Sequence, residues 1–201
     1  MSRLTVWSIE GLTENSNVIS VPTGHSLNVA DAGGLQIGGS AVVSAGLVFI
    51  SRTTIGTAVS SVTVSDAFSA DYDNYKIVLC GGQASAATSI NFQLGSEVTG
   101  YLWQLIYGGY GASVAAEGTS TGTVFSYAGS TSTSSLIGCI EVQSPFLAKR
   151  TFIQSNHIRN TVAGICRGFH NAATSFTDFT LSPLVGTFTG GTIDVYGYTK
   201  A

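Results

Sequence analysis

The sequence predicts an all-β protein in which an extended N-terminal anchor and a short shaft of β-rungs precede a jelly-roll-like antiparallel β-sandwich. Three observations support this prediction. Apolar residues recur in short strand-like runs between Gly, Asn and Asp, no stretch has a convincing helical pattern, and an eight-residue repeat lies near the N-terminus. These patterns divide the 201 residues into an anchor at 1–16, a shaft at 17–46 and a jelly-roll head at 47–201.

Composition favours a subunit of a packed assembly. Hydrophobic residues make up 44% of the chain, which is enough for a core, but charged residues make up only 9%. A usual domain has about 25% charged residues, so repulsion between copies of this chain is weak. The basic residues are scattered, which argues against a nucleic-acid partner, and no apolar run is long enough for membrane insertion.

A candidate attachment patch precedes the repeat. It consists of Trp7 with three aliphatic neighbours, Leu4, Val6 and Ile9. An exposed Trp beside aliphatic side chains is typical of an adhesive surface, which predicts docking onto a larger particle. The alternative is that these side chains pack back on the shaft or on neighbouring copies.

The shaft prediction depends on three apolar-polar-apolar triplets. Ile19–Val21, Leu27–Val29 and Leu35–Ile37 each start eight residues after the previous one, with turn residues between them. Two apolar side chains per triplet cannot form a core within one chain, so we expect copies around a symmetry axis, as in a homotrimer. The alternative is an irregular segment that packs on its own domain. The predicted interface residues are Ile19, Val21, Leu27, Val29, Leu35 and Ile37.

The head is predicted from about ten strand-like runs, of which Ser89–Leu94 alternates most clearly. Eight or more strands in about 150 residues favour a jelly roll over an immunoglobulin sandwich. The one helix-like interval, 112–117, is short and flanked by Gly.

Four aromatic residues form a candidate platform for a glycan or a receptor: Tyr101, Trp103, Tyr107 and Tyr110. At strand spacing the first three share one face with Leu105. If that face points outward, its aromatic rings suit a sugar or a protein partner. If it points inward, it belongs to the core or to a trimer interface. The sequence leaves both alternatives open.

No motif predicts catalysis. Residues 118–122 spell G-x-S-x-G, but they lie in a predicted Gly/Ser/Thr loop that is followed by a strand. A nucleophile elbow requires a strand before the motif and a helix after it. The three His and three Cys residues show no metal-ligand spacing. We therefore expect no enzymatic activity, no catalytic residue, no metal and no cofactor.

Short patterns in order along the chain resemble those of tailed-bacteriophage minor virion proteins. The segment from Asn17 to Ala41 follows the pattern N-x-I-x-V-P-x-G-H-x-L-x-V…L-x-I-x-G-x-A, and GTFTGGTIDVYGYTK at 186–200 is similar to the closing strand of small phage jelly-roll domains. The stretches SRTTIGTAVSSVTVSDAF and DYDNYKIVL are similar to the opening strands of such domains.

The resemblance implies a homotrimer on the virion exterior, made in the cytoplasm of the host bacterium. It would attach through its N-terminus to other virion proteins, such as capsid, portal, adaptor or tail proteins, as a short fibre-like appendage of tail or head. One alternative is a capsid decoration or cement protein that stabilises the head. A second is a host-receptor or glycan-binding adhesin, whose partner would be a host surface glycan.

Overall fold

The computed structural model describes residues 46–159 and 161–200, and also Thr23, Gln36–Ile37 and Ser40–Ala41. The chain divides into two compact units, Met1–Ser44 and Ala45–Ala201. In the first unit β1 (Gln36–Ile37) pairs antiparallel with β2 (Ser40–Ala41), so Ile37 of the third triplet lies in a strand. The other predicted shaft and anchor residues lie outside the described residues: Leu4, Val6, Trp7, Ile9, Ile19, Val21, Leu27, Val29 and Leu35.

The second unit contains fourteen strands in the described residues. They are β3 (Leu47–Thr54), β4 (Val62–Val64), β5 (Asn74–Cys80), β6 (Gln83–Ala84), β7 (Thr88–Leu94), β8 (Tyr101–Gly109), β9 (Val114–Gly122), β10 (Phe125–Thr131), β11 (Leu136–Gln143), β12 (Thr151–Arg159), β13 (Val162–His170), β14 (Phe179–Pro183), β15 (Phe188–Thr189) and β16 (Thr192–Tyr198).

Twelve of these strands form two antiparallel groups. The large sheet has the order β3-β16-β5-β11-β12-β13-β8-β9, and the small sheet has the order β4-β14-β7-β10. The β10–β11 hairpin joins the two groups at its closed end. The remaining short strands, β6 and β15, pair with each other. The head is therefore an all-β antiparallel sandwich, as the sequence predicts, with no helix in the described part of the chain.

Aromatic side chains fill the core between the sheets. Phe179 of β14 stacks on Phe92 of β7 with ring centroids 5.1 Å apart, and Phe68 lies 5.6 Å from Phe179. All three are almost completely buried. Burial of each large apolar side chain contributes about 1.5–3 kcal/mol, so this cluster is a main source of head stability.

The prediction of a loop at residues 118–122 is wrong. These residues form the second half of β9, which pairs with β8 along most of its length, with a register shift between Thr119 and Gly122. The local sequence favours a loop, because Gly118 and Gly122 flank residues with hydroxyl groups. In the structure, backbone hydrogen bonds to β8 stabilise the extended conformation of this segment instead. The G-x-S-x-G motif therefore lies within a strand and has no helix after it.

Strand β10 contains a bulge at Tyr127. The register between β10 and β7 shifts between Phe125 and Gly129, and Tyr127 has a φ of 60°. A positive φ is uncommon for a bulky residue and costs about 1–2 kcal/mol. The bulge removes part of the ladder with β7, so the backbone groups of β10 require other partners.

Polar side chains from the large sheet supply those partners. The carbonyl oxygen of Tyr127 accepts a hydrogen bond of 2.8 Å from the Ser155 hydroxyl. The Cys166 thiol donates to the carbonyl of Ser126 at 3.3 Å, and Nδ1 of His157 lies 3.4 Å from the carbonyl oxygen of Gly129. Ser155, His157 and Cys166 are all buried. Their burial follows from the bulge, because buried backbone carbonyls need donors.

Candidate functional site

An apolar patch lies on the outer face of the large sheet. It consists of five side chains that are each between 46% and 73% exposed: Ile106, Val114, Ile137, Ile158 and Ile165. Ile106 and Ile165 are direct cross-strand partners. The largest apolar patch on a monomer typically covers roughly 300–600 Å², and such patches are often functional. A group of exposed aliphatic side chains of this kind is typical of an interaction surface.

A groove of about 520 Å³ runs through this apolar patch. Ile106, Val114 and Ile165 form its sides. Gly108 and Ala163 pair across β8 and β13 within it, and their small size leaves the depression between the larger side chains. The groove therefore offers an apolar recess that fits a protruding apolar side chain of a partner.

A polar row borders the apolar patch. The Lys76 ammonium lies 3.4 Å from a carboxylate oxygen of Glu141, and the Tyr198 hydroxyl donates to the other oxygen at 2.6 Å. Burial and this carboxylate raise the pKa of Tyr198 to about 12, so its hydroxyl remains a donor. Arg167 continues the row and has no ion pair among the described residues. Cross-strand register places five side chains in this row: Lys76, Glu141, Gln154, Arg167 and Gln104.

Strand β9 is the last strand of the large sheet and pairs only with β8 among the described strands. Most of its residues are exposed, on both faces. An edge strand presents unpaired backbone donors and acceptors, and charged residues usually protect it from pairing with another chain. Over its nine residues β9 has one charged side chain, Glu117. Its edge and the neighbouring apolar patch thus form one continuous candidate interface.

A carboxylate joins two phenols on the inner side of β8 and β9. The two oxygens of Glu117 accept hydrogen bonds of 2.8 Å from the Tyr107 hydroxyl and 2.5 Å from the Tyr127 hydroxyl. Both hydrogen bonds hold the pKa of Glu117 below its usual range, and the bond from Tyr127 has the larger effect. The same contact raises the pKa of Tyr127 to about 12. The cluster is therefore one carboxylate and two neutral phenols at neutral pH.

The four aromatic residues of the predicted platform lie in different environments. Tyr101 is completely buried, where its hydroxyl accepts from the Leu94 amide at 2.8 Å. Trp103 and Tyr107 are half-buried on the same inward-facing side, whereas Tyr110 is 68% exposed near the turn into β9. These side chains do not form one exposed surface. Burial raises the pKa of Tyr101 to about 12.

Sequence reasoning missed Glu117 and Tyr127. Glu117 lies in a helix-like interval of the sequence, and Tyr127 is brought to it by the bulge in β10, for which no sequence pattern gives a signal. It also missed the bidentate pair in which Arg52 donates two hydrogen bonds of 2.7 Å to Asp194. The pair joins β3 to β16, and their partnership follows from sheet order rather than from sequence proximity.

No family model, curated protein or solved structure matches the chain. Across residues 46–159 and 161–200, no group of three or more His, Cys, Asp or Glu side chains is placed to hold a metal ion. A search of the described residues also finds no helix with the length and apolarity needed to cross a membrane. The fold and its surfaces define an antiparallel β-sandwich with an apolar outer patch, an exposed edge strand and a Tyr–Glu–Tyr cluster.

Proposed function

We propose that the chain is a structural component of a bacteriophage virion, a trimeric short fibre-like appendage of tail or head attached through residues 1–16. The observation that carries the proposal is the apolar patch beside the open edge of β9, on a chain with only 9% charged residues. Such a surface is costly in a monomer and is expected in a subunit. A capsid decoration protein is the alternative, because it would use the same surface.

We further propose that the head is a jelly roll. Its eight main strands, taken in chain order, are β3, β4, β5, β7, β10, β11, β14 and β16. Numbered one to eight, they follow the order 1-8-3-6 in the large sheet and 2-7-4-5 in the small sheet. This order corresponds to two interleaved Greek keys. The β8–β9 and β12–β13 hairpins then extend the first sheet beyond the eight strands.

The occupant of the apolar patch in this proposal is another copy of the chain. A stable interface buries about 800 Å² on each partner. The apolar patch, the edge of β9 and the polar row together offer a continuous surface for it. The five side chains of the patch carry no charge, which removes one source of repulsion between copies. The repeat at 17–46 provides a second contact between the same copies.

Matched valine substitutions test this contact. Val114 in the patch is 73% exposed, and Val185, far from it in sequence and outside the patch, is 61% exposed. We expect native mass spectrometry to show a trimer for the wild type and for Val185→Asp. We expect the trimer of Val114→Asp to dissociate at a concentration at least about tenfold higher. Equal dissociation of the two variants would refute the role of the patch.

The location on a particle needs its own experiment. A C-terminal label on the chain, viewed by electron microscopy of particles from the phage that encodes it, is expected to decorate the outside of the tail or the head. Label on the tail supports the fibre-like appendage, and an even distribution over the head supports the decoration protein. Purified particles that contain none of the chain would contradict both.

A further inference from the structure

We propose that the ledge between β9 and β10 binds a neutral saccharide, with Glu117, Tyr107 and Tyr127 as the binding residues. This inference goes beyond the structural role above and uses the opposite side of the large sheet from the apolar patch. It also differs from the aromatic platform predicted from the sequence, because Tyr101 is buried in the core.

Access follows from the unequal widths of the sheets. The small sheet ends at β10, which packs across β12, β13 and β8. The large sheet continues to β9, whose inner side has no strand of the small sheet paired or packed closely against it in the described residues. Glu117 is exposed on this ledge, and Tyr107 and Tyr127 are half-buried at its inner border. All three side chains are therefore at least partly accessible from this ledge.

The backbone of Tyr127, the residue that completes the cluster, has a strained conformation. Tyr127 adopts a φ of 60° at the bulge in β10. Bulges often redirect a side chain beside a functional site, and a strained bulky residue persists only where its surroundings fix it. Trp103 and His157 contact its ring edge-on, with centroids 5.3 Å and 5.2 Å away. The ring is thus held in place before any ligand arrives, which lowers the entropic cost of binding.

Hydrogen-bonding capacity remains on Glu117. Each carboxylate oxygen can accept two hydrogen bonds, and each receives one from a tyrosine in the described structure. The free acceptor sites point to a ligand that donates neighbouring hydroxyl groups, as a sugar does. The half-buried ring of Tyr107 supplies apolar area with a polar tip, which suits the C–H face of a sugar ring. The fixed negative charge favours a neutral saccharide over an acidic one.

The alternative is that Glu117 only ties the two sheets together. In that case the carboxylate contributes to stability, and its substitution leaves every ligand unaffected. The two readings differ in one measurable quantity, the affinity for a sugar, and the experiment is chosen to measure it apart from stability and oligomeric state.

The experiment compares the full-length wild type with Glu117→Gln and with Glu97→Gln as the matched control, since Glu97 is partly exposed and its side chain has no hydrogen bond in the structure. The probes are neutral oligosaccharides of glucose, galactose, mannose and N-acetylglucosamine, together with oligosaccharides that contain uronic acids. Binding is measured by saturation-transfer NMR and titration calorimetry, and oligomeric state by native mass spectrometry.

We expect the wild type and Glu97→Gln to bind at least one neutral probe with equal affinity. We expect Glu117→Gln to bind it at least about tenfold more weakly while its oligomeric state is unchanged. A Tyr107→Phe variant, which keeps the ring and removes one donor to the carboxylate, is expected to weaken binding less. No binding of any neutral probe by the wild type, binding of acidic probes alone, or equal affinity of Glu117→Gln and Glu97→Gln would each overturn the proposal.

Discussion

Ser155→Ala tests whether side chains of the large sheet donate the hydrogen bonds that the backbone carbonyls of the bulged strand β10 need. Ser155 is 3% exposed, and its hydroxyl donates to the carbonyl of Tyr127 at 2.8 Å. The bulge has removed the ladder partner of this segment, so no other strand offers a donor there. Substitution removes the hydrogen bond and leaves the carbonyl without its partner, which we expect to cost about 1–2 kcal/mol of unfolding free energy.

The assay is urea unfolding followed by tryptophan fluorescence, to which Trp7 and Trp103 both contribute; the Trp103 ring lies 5.3 Å from the Tyr127 ring. Protein concentration is held constant because self-association adds to apparent stability. For a chain of this size the loss corresponds to a decrease of about 2–8 °C in melting temperature.

Ser51→Ala is the matched control for this measurement. The hydroxyl of Ser51 is also buried but has no hydrogen-bond partner in the structure. Its removal is expected to change stability by less than about 0.5 kcal/mol or to increase it. If Ser155→Ala and Ser51→Ala have the same stability, the explanation of the buried polar side chains around β10 is wrong.

Three further substitutions test other parts of the head. Phe179→Ala removes the ring that stacks on Phe92 and is expected to cost about 3–5 kcal/mol in urea unfolding. Gly168→Ala would place a methyl group against the backbone of β8, so the same assay is expected to show a loss of about 1–3 kcal/mol. Arg52 lowers the pKa of Asp194, so Asp194→Asn should reduce stability above about pH 4. That difference should disappear as the pH falls through the lower pKa of the folded state.

Strands with one buried face could be predicted from the sequence. In β7 the alternation of Ser89–Leu94 matches a buried row of Ile90, Phe92 and Leu94, because a half-buried strand forces that period. The Gly and Asn/Asp turns were equally informative, since positive φ and local hydrogen bonds select those residues. These two signals, strand alternation and turn residues, were sufficient to predict the all-β antiparallel fold class.

Strand β12 shows why the surfaces could not be predicted. It buries Ser155 and His157 and exposes Phe152 and Ile158, the reverse of a simple polar-out pattern. The polar residues face inward because the bulge in β10 leaves carbonyls that need donors. The apolar residues face outward, where they contribute to the exposed surface of the large sheet. Both causes lie in other parts of the chain, so no window of local sequence contains them.

The candidate site, like the surfaces, could be predicted from the local sequence only in part. Trp103 and Tyr107 were selected correctly as members of one strand face, but the direction of that face depends on which sheet covers β8. Glu117 became part of the cluster only through the pairing of β9 with β8 and the bulge at Tyr127. Residue type and spacing therefore pointed to Tyr107 of the cluster, and tertiary structure supplied Tyr127 and the carboxylate between the two phenols.

In the proposed assembly, copies of this chain associate through the repeat and the apolar patch. Native mass spectrometry of the full-length protein at micromolar concentration distinguishes this trimer from a monomer. We expect a single species with three times the subunit mass of 20.7 kDa. A stable species of 20.7 kDa under the same conditions would contradict it.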